Sequence, residues 1–148
     1  MIKKIIIALL FLLLIAYAVI NKPEKFKLDD IYYNTGDYIN VDADYLKDLT
    51  HNNYILFVHN SFCAFKTPCD TIFKEYMQKY KIDFLTINID DYKETDFYSQ
   101  VKYAPSILIV KDNKIVAYLN AEKDSDLDKY QDAKAFEKWI NEFIITKK

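Results

Sequence analysis

Tyr98-Ser99-Gln100-Val101-Lys102-Tyr103-Ala104-Pro105-Ser106-Ile107-Leu108-Ile109-Val110 sets a proline two residues ahead of an unbroken aliphatic run. Such a run, bounded by turn-forming residues, has the length and composition of a strand buried on both faces. Lys111-Asp112-Asn113-Lys114 then separates it from a second apolar stretch, Ile115–Leu119. Asp and Asn tolerate positive φ, so this pair predicts a tight two-residue hairpin.

On the N-terminal side of this segment the pattern alternates. Ile82–Ile89 reads as a strand and Tyr92–Gln100 as a short helix. Thr67-Pro68-Cys69-Asp70 has the form of a helix start: a Thr cap, Pro at the first helical position, and an acid three residues after the cap. Cys69, Ile72, Phe73, Tyr76, Met77 and Tyr80 follow at steps of three and one, tracing one helix face to about Lys81. Tyr54–His59 is an aromatic and β-branched run of buried-strand length.

Nearer the start, Asp42 reads as the cap of a short helix to about Thr50, with Tyr45, Leu46 and Leu49 on its apolar face. A strand around Ile31–Tyr33 and a turn at Asn34-Thr35-Gly36-Asp37 are expected before it. At the other end, residues 120–131 read as a long acidic loop. Asp132 caps a last helix with Phe136, Trp139, Ile140, Phe143 and Ile144 on one face. The order is (β)α, β, α, β, α, β, β, α: an α/β domain over residues 42–148, with residues 21–41 as a charged tether and a first strand.

The first twenty residues differ in kind. Lys3 and Lys4 precede an apolar run from Ile5 to Ile20, interrupted only by Tyr17. The run is long for a signal-peptide core and slightly short for a membrane span. Ala16-Tyr17-Ala18 offers a cleavage site, but apolar residues continue past it. The expectation is a membrane anchor or signal segment over 1–20, the anchor favoured. The positive flank stays in the cytoplasm, so the domain is placed outside it. Without Lys3 and Lys4, 18 basic residues face 22 acidic ones. That mildly acidic balance argues against nucleic acid and against adhesion to an anionic lipid surface.

Both cysteines lie in Ser61-Phe62-Cys63-Ala64-Phe65-Lys66-Thr67-Pro68-Cys69, at a strand-to-helix junction. Unpaired N–H groups at a helix start favour a thiolate, and outside the cytoplasm disulfides persist. On one continuous helix the two thiols would stand ~9 Å apart along the axis, too far for a disulfide. A bridge requires residues 63–67 to fold back ahead of Pro68. The helix-start argument nominates Cys69 as the activated thiol. His59, four residues before Cys63, could tune it or join the cysteines around a soft metal. Three ligands without a fourth make no metal site, so none is expected. Asp124, Asp126 and Asp128 lack the glycine and terminal Glu of a calcium loop and read as solvated.

The thiol motif after a central strand, and the proline ahead of a hairpin, resemble the thioredoxin-like superfamily over about residues 42–145. Tyr98–Val110 carries the resemblance most specifically. It implies a thioredoxin-like fold, a central mixed sheet flanked by helices, with a cis peptide bond before Pro105 where an extended substrate docks. Phe62-Cys63 matches the family's aromatic and first cysteine. Here the sequence departs from the pattern: Lys66 occupies the second cysteine's position, and the next cysteine is Cys69, giving C-x5-C. In the other alignment Pro68-Cys69 takes the final Pro-Cys, and Lys66 replaces the first cysteine. The buried acid often found six residues before the first cysteine falls at Phe57.

By this resemblance Cys63 attacks and Cys69 resolves, while Phe62, Ala104 and Pro105 bind substrate. No cofactor is implied. The partners would be protein thiols or disulfides, with an electron donor or acceptor in the membrane. The competing reading is a non-catalytic thioredoxin-like accessory module whose cysteines form a structural bridge.

Overall fold

Buried apolar runs organise the chain around one mixed sheet. The computed structural model describes residues 6–7, 9–14, 23–60 and 68–146. Among these, the elements run β1 (Tyr38–Asn40), α1 (Ala43–Asp48), β2 (Tyr54–His59), α2 (Cys69–Tyr80), β3 (Phe84–Asn88), α3 (Ile89–Tyr92), β4 (Ser106–Lys111), β5 (Lys114–Asn120), α4 (Asp124–Gln131) and α5 (Ala133–Ile140). The strand order is β1-β3-β2-β4-β5. β1 and β3 run parallel to β2, whereas β4 is antiparallel to β2 and β5 antiparallel to β4.

β2 is central because both its faces are covered: Tyr54 to Val58 are all buried, with Leu56 in register with Leu85 and Leu108. Phe57 meets Phe73 of α2 edge-on at 5.1 Å between ring centroids. Phe73 in turn packs on Phe136 of α5 at 4.7 Å and on Tyr130 of α4 at 5.8 Å. Each such aromatic pair adds about 0.5–1.5 kcal/mol beyond its buried area. This cluster seats α2, and therefore Cys69 at its start, against the sheet.

The hairpin and two of the caps form as their residues dictate. Asp112 and Asn113 have φ of 52° and 57°, the left-handed pair that a type I′ turn needs. Asp42 and Asp132 each accept a 2.7 Å hydrogen bond from the backbone N–H three residues on. Four local expectations are corrected. No strand forms over Ile31–Tyr33; Asp30–Tyr32 is a 3-10 turn and the first strand is Tyr38–Asn40. The expected helix over Tyr92–Gln100 divides into α3 and a 3-10 turn at Asp96–Ser99. Tyr45 is 43% exposed, and Ala43 is the residue of α1 that is buried.

The fourth correction is larger. The stretch read as a solvated acidic loop contains helix α4, with Asp124 and Asp126 in its first turn and Tyr130 wholly buried. Acids at a helix start are favoured by its dipole, which sequence alternation alone does not reveal. The charged segment 21–30 also contributes to the core. Phe26 and Leu28 are buried, and Phe26 exchanges 2.8 Å backbone hydrogen bonds with Phe143 and Ile145.

Much of the segment expected to be an anchor, residues 1–5, 8 and 15–22, lies outside the described residues. Residues 6–7 and 9–14 are helical, with their apolar side chains exposed. Among the described residues no helix is long and apolar enough to cross a membrane.

Candidate thiol site

Cys69 is the first residue of α2 and is 2% exposed. The helix cap is Pro68, at φ −56° and ψ 121°, with no side-chain cap bond. The helix therefore starts one residue later than the expected Thr67 cap would give. Pro68 still contributes through its carbonyl, which accepts the Thr71 N–H at 3.0 Å. Thr67, Lys66, Cys63 and Phe62 lie outside the described residues.

Cys69, Pro105, Phe57, His59, Asn60 and Asp70 line one pocket of about 220 Å³. Three elements converge there: the C-terminal end of β2, the first turn of α2 and the loop entering β4. The Ala104–Pro105 peptide bond is cis, as the resemblance implied. Pro105 is buried and Ala104 half-buried. Phe57 and Pro105, far apart in sequence, thus share a wall with the thiol. Asn60 donates its side-chain amide to the Ala104 carbonyl oxygen at 3.2 Å.

The pocket's electrostatic character is set by burial. Phe57, 6% exposed, is an apolar group where the resemblance would put an acid, and its ring also meets Tyr38 at 5.8 Å. Tyr38 and Tyr130 both have hydroxyls whose pKa is raised, first by burial. The next contributions are Asp70 and then Cys69 for Tyr38, and Cys69 and then Asp126 for Tyr130. Both tyrosines stay protonated as donors at neutral pH. The Tyr38 hydroxyl donates a hydrogen bond to the Asp70 carbonyl oxygen at 3.2 Å. His59 is half-buried with its ring 5.9 Å from Phe57. Among the described residues no three His, Cys, Asp or Glu side chains converge as a metal site.

Sequence reasoning missed Tyr130. It lies in the stretch assigned to a solvated loop, yet its hydroxyl is 3.0 Å from the Pro105 carbonyl oxygen and 2.9 Å from that of Leu119. The available signal was Leu127 and Tyr130, an i, i+3 apolar pair within an acidic run.

No protein-family model matches this chain, and no curated protein matches it. Solved structures do. The thioredoxin of Schistosoma mansoni is 21% identical, with a TM-score of 0.51 over 75% of this chain and 99% of that one. A mutant thioredoxin from Halobacterium salinarum is 12% identical, with a TM-score of 0.51 over 78% of this chain and 97% of that one. These likenesses show that the chain has a thioredoxin-like fold.

Proposed function

We propose that this chain is a membrane-anchored, extracytoplasmic thiol–disulfide oxidoreductase acting through Cys63 and Cys69. The observation that carries the reading is the pocket in which Cys69, at a helix start, meets Pro105. A helix N-terminus stabilises negative charge on a nearby sulfur, and the adjoining loop gives a partner chain a surface to lie against.

The 2% exposure of Cys69 suits the resolving role, and the resemblance gives the attacking role to Cys63. The Cys63 thiolate displaces one sulfur of a partner disulfide, forming a mixed disulfide and releasing a partner thiolate. The Cys69 thiolate then attacks the Cys63 sulfur, closing the intramolecular bridge and releasing the second partner thiolate. Two electrons pass to the partner, and two thiol protons go to the released sulfurs or to solvent. The reverse sequence oxidises a partner dithiol. The resemblance assigns partner binding to Phe62, Ala104 and Pro105, and a membrane electron donor or acceptor resets the pair. Lys3, Lys4 and the apolar run after them support the anchored placement, as do the exposed apolar side chains at 6–7 and 9–14.

The test is a pair of trapping variants. Cys69→Ser should accumulate a mixed disulfide with its partner, and Cys63→Ser should form none. Undiminished exchange activity in both variants would end the proposal. Phe57 favours a second reading, the non-catalytic accessory module. With Phe57 where the resemblance would put a buried acid, a bridge can serve structure alone. A bridge that resists mild reductants, and whose reduction loosens the fold, would select that reading.

A further inference from the structure

Three consecutive carbonyls of the loop before β4 are held by side chains from three directions. Ser106 donates its hydroxyl to the Tyr103 oxygen at 2.7 Å, Asn60 its amide to Ala104, and Tyr130 its hydroxyl to Pro105. Ser106 is a local contact, and Asn60 comes from the end of β2. Tyr130 alone arrives from α4, an element remote in sequence from the thiol motif. It is wholly buried, and its single proton is shared between the oxygens of Pro105 and Leu119. Its ring is fixed by Phe73, one turn along α2 from Cys69.

We propose that Tyr130 is a positioning residue: its buried hydroxyl, bridging the Pro105 and Leu119 carbonyls, holds the proline loop as a fixed wall of the Cys69 pocket. The hydroxyl couples three parts of the fold. One carbonyl belongs to the loop, the other to the end of β5, and the ring packs on the helix that carries the thiol. Loss of the hydroxyl leaves two buried acceptors short of a donor, and Pro105, unlike Leu119, lies outside the strand ladder. The consequence for activity rests on the oxidoreductase reading; the consequence for pocket closure does not.

The experiment uses the full-length chain and Tyr130→Phe, which keeps the ring on Phe73. Tyr76→Phe is the control, since Tyr76 also loses one partly buried hydroxyl bond, to Asn141, away from the pocket. Two quantities are measured. One is iodoacetamide labelling of Cys69 in a Cys63→Ser background. The other is dithiothreitol-driven reduction of insulin and of 2-hydroxyethyl disulfide in the chain with both cysteines.

Tyr130→Phe should raise the Cys69 labelling rate about tenfold through local opening. It should raise KM for insulin about fivefold, with kcat for the small disulfide within about twofold of the parent. Tyr76→Phe should move neither. Equal effects in the two variants would reduce Tyr130 to ordinary core packing, and unchanged labelling would overturn the proposal outright. A parent chain that reduces neither substrate refutes the oxidoreductase reading, while the labelling comparison still decides Tyr130.

Discussion

Replacing Gly36 by alanine should destabilise the protein by at least about 2 kcal/mol, summed from backbone strain and overpacking. Gly36 is the chain's single glycine and sits at φ +84° in the turn before β1. A Cβ built there would overlap the Met77 carbonyl oxygen and lie 2.9 Å from the Gln78 Cα, both backbone atoms of α2. Left-handed backbone costs a residue with a Cβ about 1–2 kcal/mol. Relieving the overlap by moving the turn or the helix end costs about 1–3 kcal/mol more. The turn cannot move freely, because the buried Asp83 carboxylate accepts the Gly36 and Asp37 N–H groups at 2.7 and 2.9 Å. Stretching either bond adds a penalty of about 1.5–3 kcal/mol, typical of hydrogen bonds to a charged group. The assay is urea unfolding of the parent and variant under identical conditions, read by tryptophan fluorescence. A loss below about 1 kcal/mol would show that the turn relaxes at little cost, and would refute the claim that Gly36 fixes the seat of α2.

Two other outcomes follow from the packing and charge of the chain. Tyr92 is fully buried and its hydroxyl has no hydrogen-bond partner among the described residues. Tyr92→Phe should therefore stabilise by about 1 kcal/mol, seen as a higher urea midpoint; a lower midpoint would reveal a bond that the hydroxyl makes. Glu137 is held below the usual carboxylate range by hydrogen bonds from Lys79 and then Tyr80. A depressed folded-state pKa contributes stability that is present above the unfolded value and is lost as pH falls through the folded one. Glu137→Gln should accordingly flatten the decline in stability between about pH 6 and pH 3. The effect will be small and salt-sensitive, because the Lys79 side chain is 57% exposed. Parallel pH curves for parent and variant would remove Glu137 from the acid response.

What could be read from the chain divides by the range of the interaction. β2 and the β4–β5 hairpin were legible because their signals are local: a run of buried residues, and an Asp-Asn pair able to take positive φ. The apolar face of α2 was legible because its residues recur at helical spacing: of the six expected, five are buried and Tyr80 is half-buried. β1 was not, since three residues, Tyr38–Asn40, carry little pattern and gain their place only by parallel pairing with β3, over forty positions on. Phe26 and Leu28 were hidden among charges, and their core role depends on the chain end around Phe143–Ile145. Helix α4 was missed because acids dominate it; Tyr130 anchors it from beneath, through bonds that no local pattern encodes.

The same division explains why residue spacing alone left two candidates for the attacking thiol. A helix start favours a thiolate on any cysteine placed there, so the dipole argument nominates Cys69. The burial of Cys69 argues the other way. A sulfur that attacks a partner disulfide must approach in line with the S–S bond, which needs a free cone of approach on the partner's side. At 2% exposure, between Phe57, Pro105 and the first turn of α2, Cys69 offers no such cone to a large partner. A sulfur delivered within the pocket needs none. In a chain with both cysteines, bulky maleimides should therefore modify Cys63 well before Cys69, while denaturant should erase the difference. If Cys69 instead reacts first in the folded protein, the dipole outweighs burial, and the order of attack and resolution must be reversed.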